Sequence, residues 1–253
     1  MNDPFVTARN LRTGIAGAAL TVAGILLSGP LGLLIVSAVQ TSGPWQGPAI
    51  YVQNFHPIQT LPFFCGFLLV SGYVVMMVAL HQIAEERLKT QTLIAVVFTA
   101  IFATLIFFNY INQTTFVPAL ARAYSPQFDP AITTFSLANP LSLCWAIEMW
   151  GYAFLGIATM LAAPIFNRNR VERATALLMI LNGVMSIAGG VISAWDLGWV
   201  LTTPGLVNYM VWNALVLALS ILVIVSLRRR QNEAATATGQ PPVMVAPVQG
   251  GTA

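Results

Sequence analysis

The chain has 253 residues, 57% of them hydrophobic and only 8% charged, where a soluble domain carries about a quarter. With a mean hydropathy of +0.76, this excludes a soluble globular domain and a disordered chain. The net charge of +3 is gathered in short basic clusters beside apolar runs, where it sets membrane orientation and does not point to nucleic acid.

The expected fold is all-α: a bundle of six transmembrane helices whose first partner is the lipid bilayer. Each apolar run is long enough for a hydrocarbon core of about 30 Å at about 1.5 Å per residue. Residues 1–12 read as a polar cytoplasmic tail with Arg9 and Arg12, followed by a first span over 13–39. Its apolar part exceeds the usual signal-peptide core of about 7–15 residues, with cleavage after the small residues Ser37 and Ala38 as the lesser alternative. Gly14, Gly17, Ala18, Thr21, Gly24 and Ser28 form a small-residue face that lets another helix approach. The Gly29-Pro30 pair predicts a kink within the run.

Residues 40–60 hold Pro44, Pro48 and Pro57 among Trp45, Tyr51 and Phe55, the composition of an interfacial loop lying over a bundle. The second span covers 61–83, and a charged turn with Glu85, Glu86, Arg87 and Lys89 leads to a third over 92–110. That span runs into a polar cluster of Asn109, Tyr110, Asn112, Gln113, Thr114 and Thr115, either a pocket wall or a wet helix end. Residues 116–140 form the longest internal connection, a length typical of lids and binding loops. The fourth span, 141–166, is followed by Arg168, Arg170 and Arg173; the fifth covers 174–196 and the sixth 205–227, stopped by Arg228, Arg229 and Arg230. Residues 231–253 have too little apolar surface to fold and read as a disordered cytoplasmic tail. Cys65 and Cys144 read as small packing residues.

Alternating the six spans puts Arg9, Arg12, Arg87, Lys89, Arg168, Arg170, Arg173 and Arg228 to Arg230 on one side and leaves Arg122 alone on the other. The positive-inside bias therefore places both termini in the cytoplasm of an inner (plasma) membrane of bacterial type.

Within the fourth span, Glu148 interrupts an otherwise apolar run. A carboxylate near the bilayer centre costs on the order of 3 kcal/mol, so it is expected to face the protein interior or a wet cavity. Counting along the helices puts Glu148 about 11 Å below the outer boundary, with Asn213 and Ser186 at similar depth, at about 1.5 Å per residue. Asn182, Ser186, Gly189, Ser193 and Asp196 share one face of the fifth span. Tyr209, Trp212 and Asn213 group on the sixth, and Cys144, Trp145, Glu148 and Tyr152 on the fourth. These residues, with Asn109, Tyr110 and Gln113, predict an outward-opening ligand site among spans three to six, walled also by Trp195. Aromatic faces above a carboxylate suit an organic cation; with the acid protonated, the same site suits a neutral amphiphile. The competing reading makes Glu148 a hydrogen-bonding tie to Asn213 or Asn182 that glues helices together.

No metal site is expected, since His81 and Glu85 supply at most half of one. His56 and His81 lie at opposite ends of a span, which disfavours haem. No phosphate-cradling loop occurs, the single lysine is Lys89 at the membrane edge, and no cofactor is expected. The expected function is non-enzymatic binding or transport of a small amphiphile or organic cation. The rivals are an accessory subunit, homo- or hetero-oligomeric through small-residue helix faces, and, behind it, a membrane-embedded lipid enzyme.

Overall fold

In hydrocarbon a backbone N–H or C=O has no water to meet, so each apolar run must close its hydrogen bonds within itself. The chain does so with helices alone. The structure, a computed structural model, describes residues 4–40 and 43–237, and no strand occurs among the described residues.

The α-helices in order are α1 (Pro4–Ser28), α2 (Pro30–Val39), α3 (Pro48–Gln53), α4 (Leu61–Ile83), α5 (Lys89–Ile111), α6 (Val117–Arg122), α7 (Asp129–Phe135), α8 (Leu143–Ala162), α9 (Arg170–Trp195) and α10 (Thr203–Ala237). Among the described residues six stretches are long and apolar enough to cross a membrane: Ala8–Val39, Pro57–Ile83, Glu86–Arg122, Leu143–Ile165, Arg170–Trp195 and Thr203–Thr236. They pack in chain order, α1 on α4, α4 on α5, α5 on α8, α8 on α9 and α9 on α10, and α10 returns to α1. The result is a closed ring whose interior is filled by Tyr73, Phe102, Met76, Leu155, Met179 and Leu219, all fully buried.

The small-residue face of the first span is consumed inside this ring. A Cβ on Gly17 would lie 2.9 Å from the Gly72 carbonyl oxygen of α4, and one on Gly72 would lie 2.5 Å from the Thr21 amide nitrogen. The two backbones therefore touch, a contact that only glycine permits.

Several boundaries differ from those the sequence predicts. α1 begins at Pro4 rather than near 13, because Leu11 is buried against the bundle and carries the helix through the basic turn. At Gly29-Pro30 the i→i−4 pattern persists, Gly29 N–H donating to Ile25 O and Leu33 N–H to Gly29 O, both at 3.0 Å, so the break is a bend. The third span does not end at 110: α5 continues through a π-helical turn, Asn112–Phe116, into α6, and the long connection shrinks accordingly.

α10 passes straight through the arginines at which the sixth span was expected to stop. The reason is Glu172, on α9. Arg230 Nε donates to Glu172 Oε1 at 2.7 Å, and its Nη2 donates to Glu172 Oε2 at 2.8 Å and to Ile165 O at 2.6 Å. The Phe166 ring lies 5.5 Å from the guanidinium carbon. Residues 231–237, expected to be disordered, continue the helix; the rest of that predicted tail, 238–253, lies outside the described residues.

Candidate functional site

At the end of the ring away from the arginine clusters, the helices part around a cavity of about 610 Å³, within the range of small-molecule sites. α8 supplies its polar centre. Ser142 caps the helix, its Oγ accepting from the Trp145 amide at 3.3 Å, and the helical repeat then sets Trp145, Glu148 and Tyr152 along one face, all lining the cavity.

Glu148 is held by neutral donors. Asn109 Nδ2, from α5, donates to Glu148 Oε2 and, at 3.0 Å, to Cys144 O. The hydroxyls of Tyr110 and Tyr152 face the same carboxyl and lie 3.2 Å from each other. No basic side chain reaches it: the ion pairs among the described residues are Arg87–Glu85 and Arg230–Glu172.

The π-helical turn after α5 explains how Gln113 joins the site. One extra residue per turn re-aims the side chain, whose Nε2 donates to Phe135 O at 2.7 Å while Oε1 accepts from the Leu137 amide at 3.0 Å. Trp145 Nε1 donates to Leu137 O at 2.9 Å. Together they fasten the segment after α7 over the rim of the cavity. Of the remaining polar cluster, Asn112 and Thr114 bond back to their own helix, at Phe108 O and Tyr110 O.

On the facing wall, Trp212 sits edge-on to Tyr152 with ring centroids 4.6 Å apart, and its Nε1 donates to Ser186 Oγ at 3.2 Å. Ser186, Tyr209 and Asn213 also line the space. Asn213 does not bond to Glu148; its Nδ2 donates to Tyr209 O of its own helix.

Three predicted neighbours stand elsewhere. Asn182 lies deeper, fully buried, its Nδ2 donating to Thr159 Oγ1 at 3.0 Å. Asp196 caps the end of α9 and is exposed. Trp195 is 84% exposed and turns away from the cavity. Asn182, Ser186, Gly189 and Ser193 do lie on α9, but residues one turn apart meet different partners, Asn182 the Thr159 hydroxyl and Ser186 the Trp212 indole.

Other lining residues lay outside the predicted set. Ile25 and Ser28 of α1, Leu33 and Val36 of α2 and Leu69 of α4 contribute, so the site is not confined to spans three to six. Above it, as a lid, lies the 43–60 part of the predicted loop, while Thr41 and Ser42 lie outside the described residues. Gly47 takes φ +110°, a left-handed conformation suited to glycine, and starts α3. Gln40 Nε2 and Gln59 Nε2 both donate to Asn54 O, closing the loop on itself. Burial pushes the Tyr51 phenol above the ordinary value, and the Ser136 side chain it faces draws it partly back. The prolines and aromatics of this loop were its visible signal in the sequence.

Among the described residues no group of three or more His, Cys, Asp or Glu side chains is placed to hold a metal ion. No protein-family model, curated protein or solved structure matches the chain, so the site is read from its own residues.

Proposed function

We propose that this is a multi-pass protein of a bacterial-type inner (plasma) membrane, both termini cytoplasmic, that binds and carries a small organic cation or amphiphile in the cavity around Glu148. The single observation that carries this reading is a carboxyl lining a mostly apolar, aromatic-walled cavity with neutral donors and no basic partner. A carboxylate so placed is left short of a counter-charge, and a ligand cation supplies one; the faces of Tyr and Trp add cation–π attraction. The concentration of Lys and Arg at the opposite end of the ring supports the orientation, with the cavity toward the outside.

The accessory-subunit reading draws less support. The small residues on which it rests meet groups of the bundle itself: a Cβ on Gly17 would lie 2.9 Å from the Gly72 carbonyl oxygen, and one on Gly189 3.0 Å from Met149 Cε. The enzymatic reading stays last, since no specific observation at the site favours it.

The test is titration of purified protein in lipid nanodiscs with tetraethylammonium, followed by calorimetry, for the native chain and Glu148→Gln. The variant is expected to lose about tenfold or more in affinity, equivalent to about 1.4 kcal/mol, while eluting as the native protein does. Native affinity should tighten as pH rises and the carboxyl sheds its proton, and the variant's should not. Equal affinity in both proteins overturns the reading.

A further inference from the structure

The ring of helices has two seams that matter to the cavity, and they lie opposite each other. Between α5 and α8 sit the polar groups: Asn109, Tyr110 and Gln113 on one side, Trp145, Glu148 and Tyr152 on the other. Directly across the ring is the seam where α10 meets the first span. There α1 follows α10 closely as far as Gly29, where a Cβ would lie 2.7 Å from Asn213 Oδ1. Beyond that point Pro30 bends the chain, and α2 takes its packing from α1, α4 and the Pro57–Thr60 turn rather than from α10. Within α2 only Gly32 is buried.

The bend leaves a gap that widens toward the lid. Leu33 and Val36 stand on its α2 side and Leu206 and Tyr209 on its α10 side, and all four line the cavity. Yet Leu33 is 49%, Leu206 48% and Tyr209 41% exposed. A residue that borders the cavity and is also half open to the outside marks an opening. Both edges lie on stretches long and apolar enough to cross a membrane, Ala8–Val39 and Thr203–Thr236, so the gap is of a kind that suits contact with lipid. Over the top, by contrast, α3 of the lid packs on α7.

We propose that the cavity is filled sideways from the lipid, and that its ligand is an amphiphile with one cationic head and one hydrocarbon chain, lying crosswise with the head at Glu148 and the chain leaving between α2 and α10. This rests on the reading of the Glu148 cavity as a ligand site and specifies its substrate class and path of access. The chemistry at each end matches that occupant. The head meets a carboxyl and aromatic faces without a competing cation. The chain meets Ile25, Leu33, Val36 and Leu206, and its far end stays in lipid, so the hydrocarbon never crosses water and a cavity of about 610 Å³ need hold only part of the molecule. A short hydrophilic cation would gain nothing from such a doorway.

The test is photolabelling in phosphatidylcholine nanodiscs with hexadecyltrimethylammonium bearing a mid-chain diazirine, with adducts mapped by mass spectrometry. Adducts are expected to concentrate on Leu33, Val36, Leu206 and Tyr209 and to fall about tenfold in Glu148→Gln, the affinity loss given above. The double variant Leu33→Phe with Leu206→Phe fills the gap at two exposed positions. It should lose this labelling while eluting as the native protein does, and labelling undiminished in this variant overturns passage between α2 and α10. Adducts confined to the lid between Trp45 and Phe55, still lost in Glu148→Gln, overturn sideways access and leave the cavity reading standing. Adducts spread over the lipid-facing surfaces of α5 and α9, whatever stands at 148, overturn both.

Discussion

Two glutamates in the helical bundle meet opposite fates. Glu172, near the arginine end, is 1% exposed and saturated: Arg230 grips both carboxylate oxygens, and the Asn167 and Arg168 amides donate to one of them at 3.1 and 3.0 Å. Glu148, near the lid end, meets amide and phenol groups only and opens onto a cavity. The pairing explains the difference in role. An acid whose charge is fully answered by the protein is a rivet, since desolvation is offset by a guanidinium and backbone donors. An acid answered by neutral groups alone keeps an unmet demand for a cation, which is what a binding site requires.

The contrast can be broken from either end. The largest effect is expected at the rivet: Arg230→Ala strands a buried carboxylate and should cost about 3–5 kcal/mol of stability, read by thermal unfolding in detergent, with Glu172→Leu in the same chain recovering much of the loss. A loss below about 1 kcal/mol, the range of exposed pairs, would show that this end is not clamped by charge. Glu148→Gln should do the reverse, moving stability by less than about 1 kcal/mol because glutamine keeps an oxygen for Asn109, while ligand affinity falls as stated above.

Next in size is Gln113→Ala. It leaves the Phe135 carbonyl and the Leu137 amide without their side-chain partner and should cost about 1–2 kcal/mol, with faster hydrogen exchange at 135–137. Unchanged exchange there would remove Gln113 as the fastener of the rim. The smallest effect belongs to Tyr51→Phe, which removes the lid hydroxyl that faces Ser136 and should cost no more than about 1 kcal/mol. It should speed ligand release from above only if the lid is a route; unchanged off-rates agree with access through the side.

Much of this was readable in the amino-acid order. Apolar runs disclosed the six membrane-length segments, a charge inside one of them disclosed Glu148, and helical periodicity aligned Trp145 and Tyr152 with it. What periodicity gives is a face, not a neighbour. Asn182 shares a face with Ser186 but meets Thr159 of α8, one turn deeper, and Asp196 falls just past the end of α9, in extended backbone that no longer follows the helical face. The pairing of Glu172 with Arg230 was hidden because the partners belong to different spans, so Arg230 looked like a stop signal instead of a buried contact. The π-helical turn that aims Gln113 also left no pattern in the residues themselves. Gly29-Pro30 did announce a bend, but its direction, away from α10, depends on how α2 leans on α4.

The order of helices around the ring matches their order along the chain, so each segment can dock on its predecessor as soon as it has been made. One junction cannot form that way. The contact between α1 and α10 joins the first and the last of the six membrane-length stretches among the described residues and must wait for the later one. Until then the pocket is an open trough, and its last wall, carrying Tyr209, Trp212 and Asn213, arrives late. The same junction borders the gap beside α2, so the place where assembly finishes is also where the wall can part with least disturbance to the other helices.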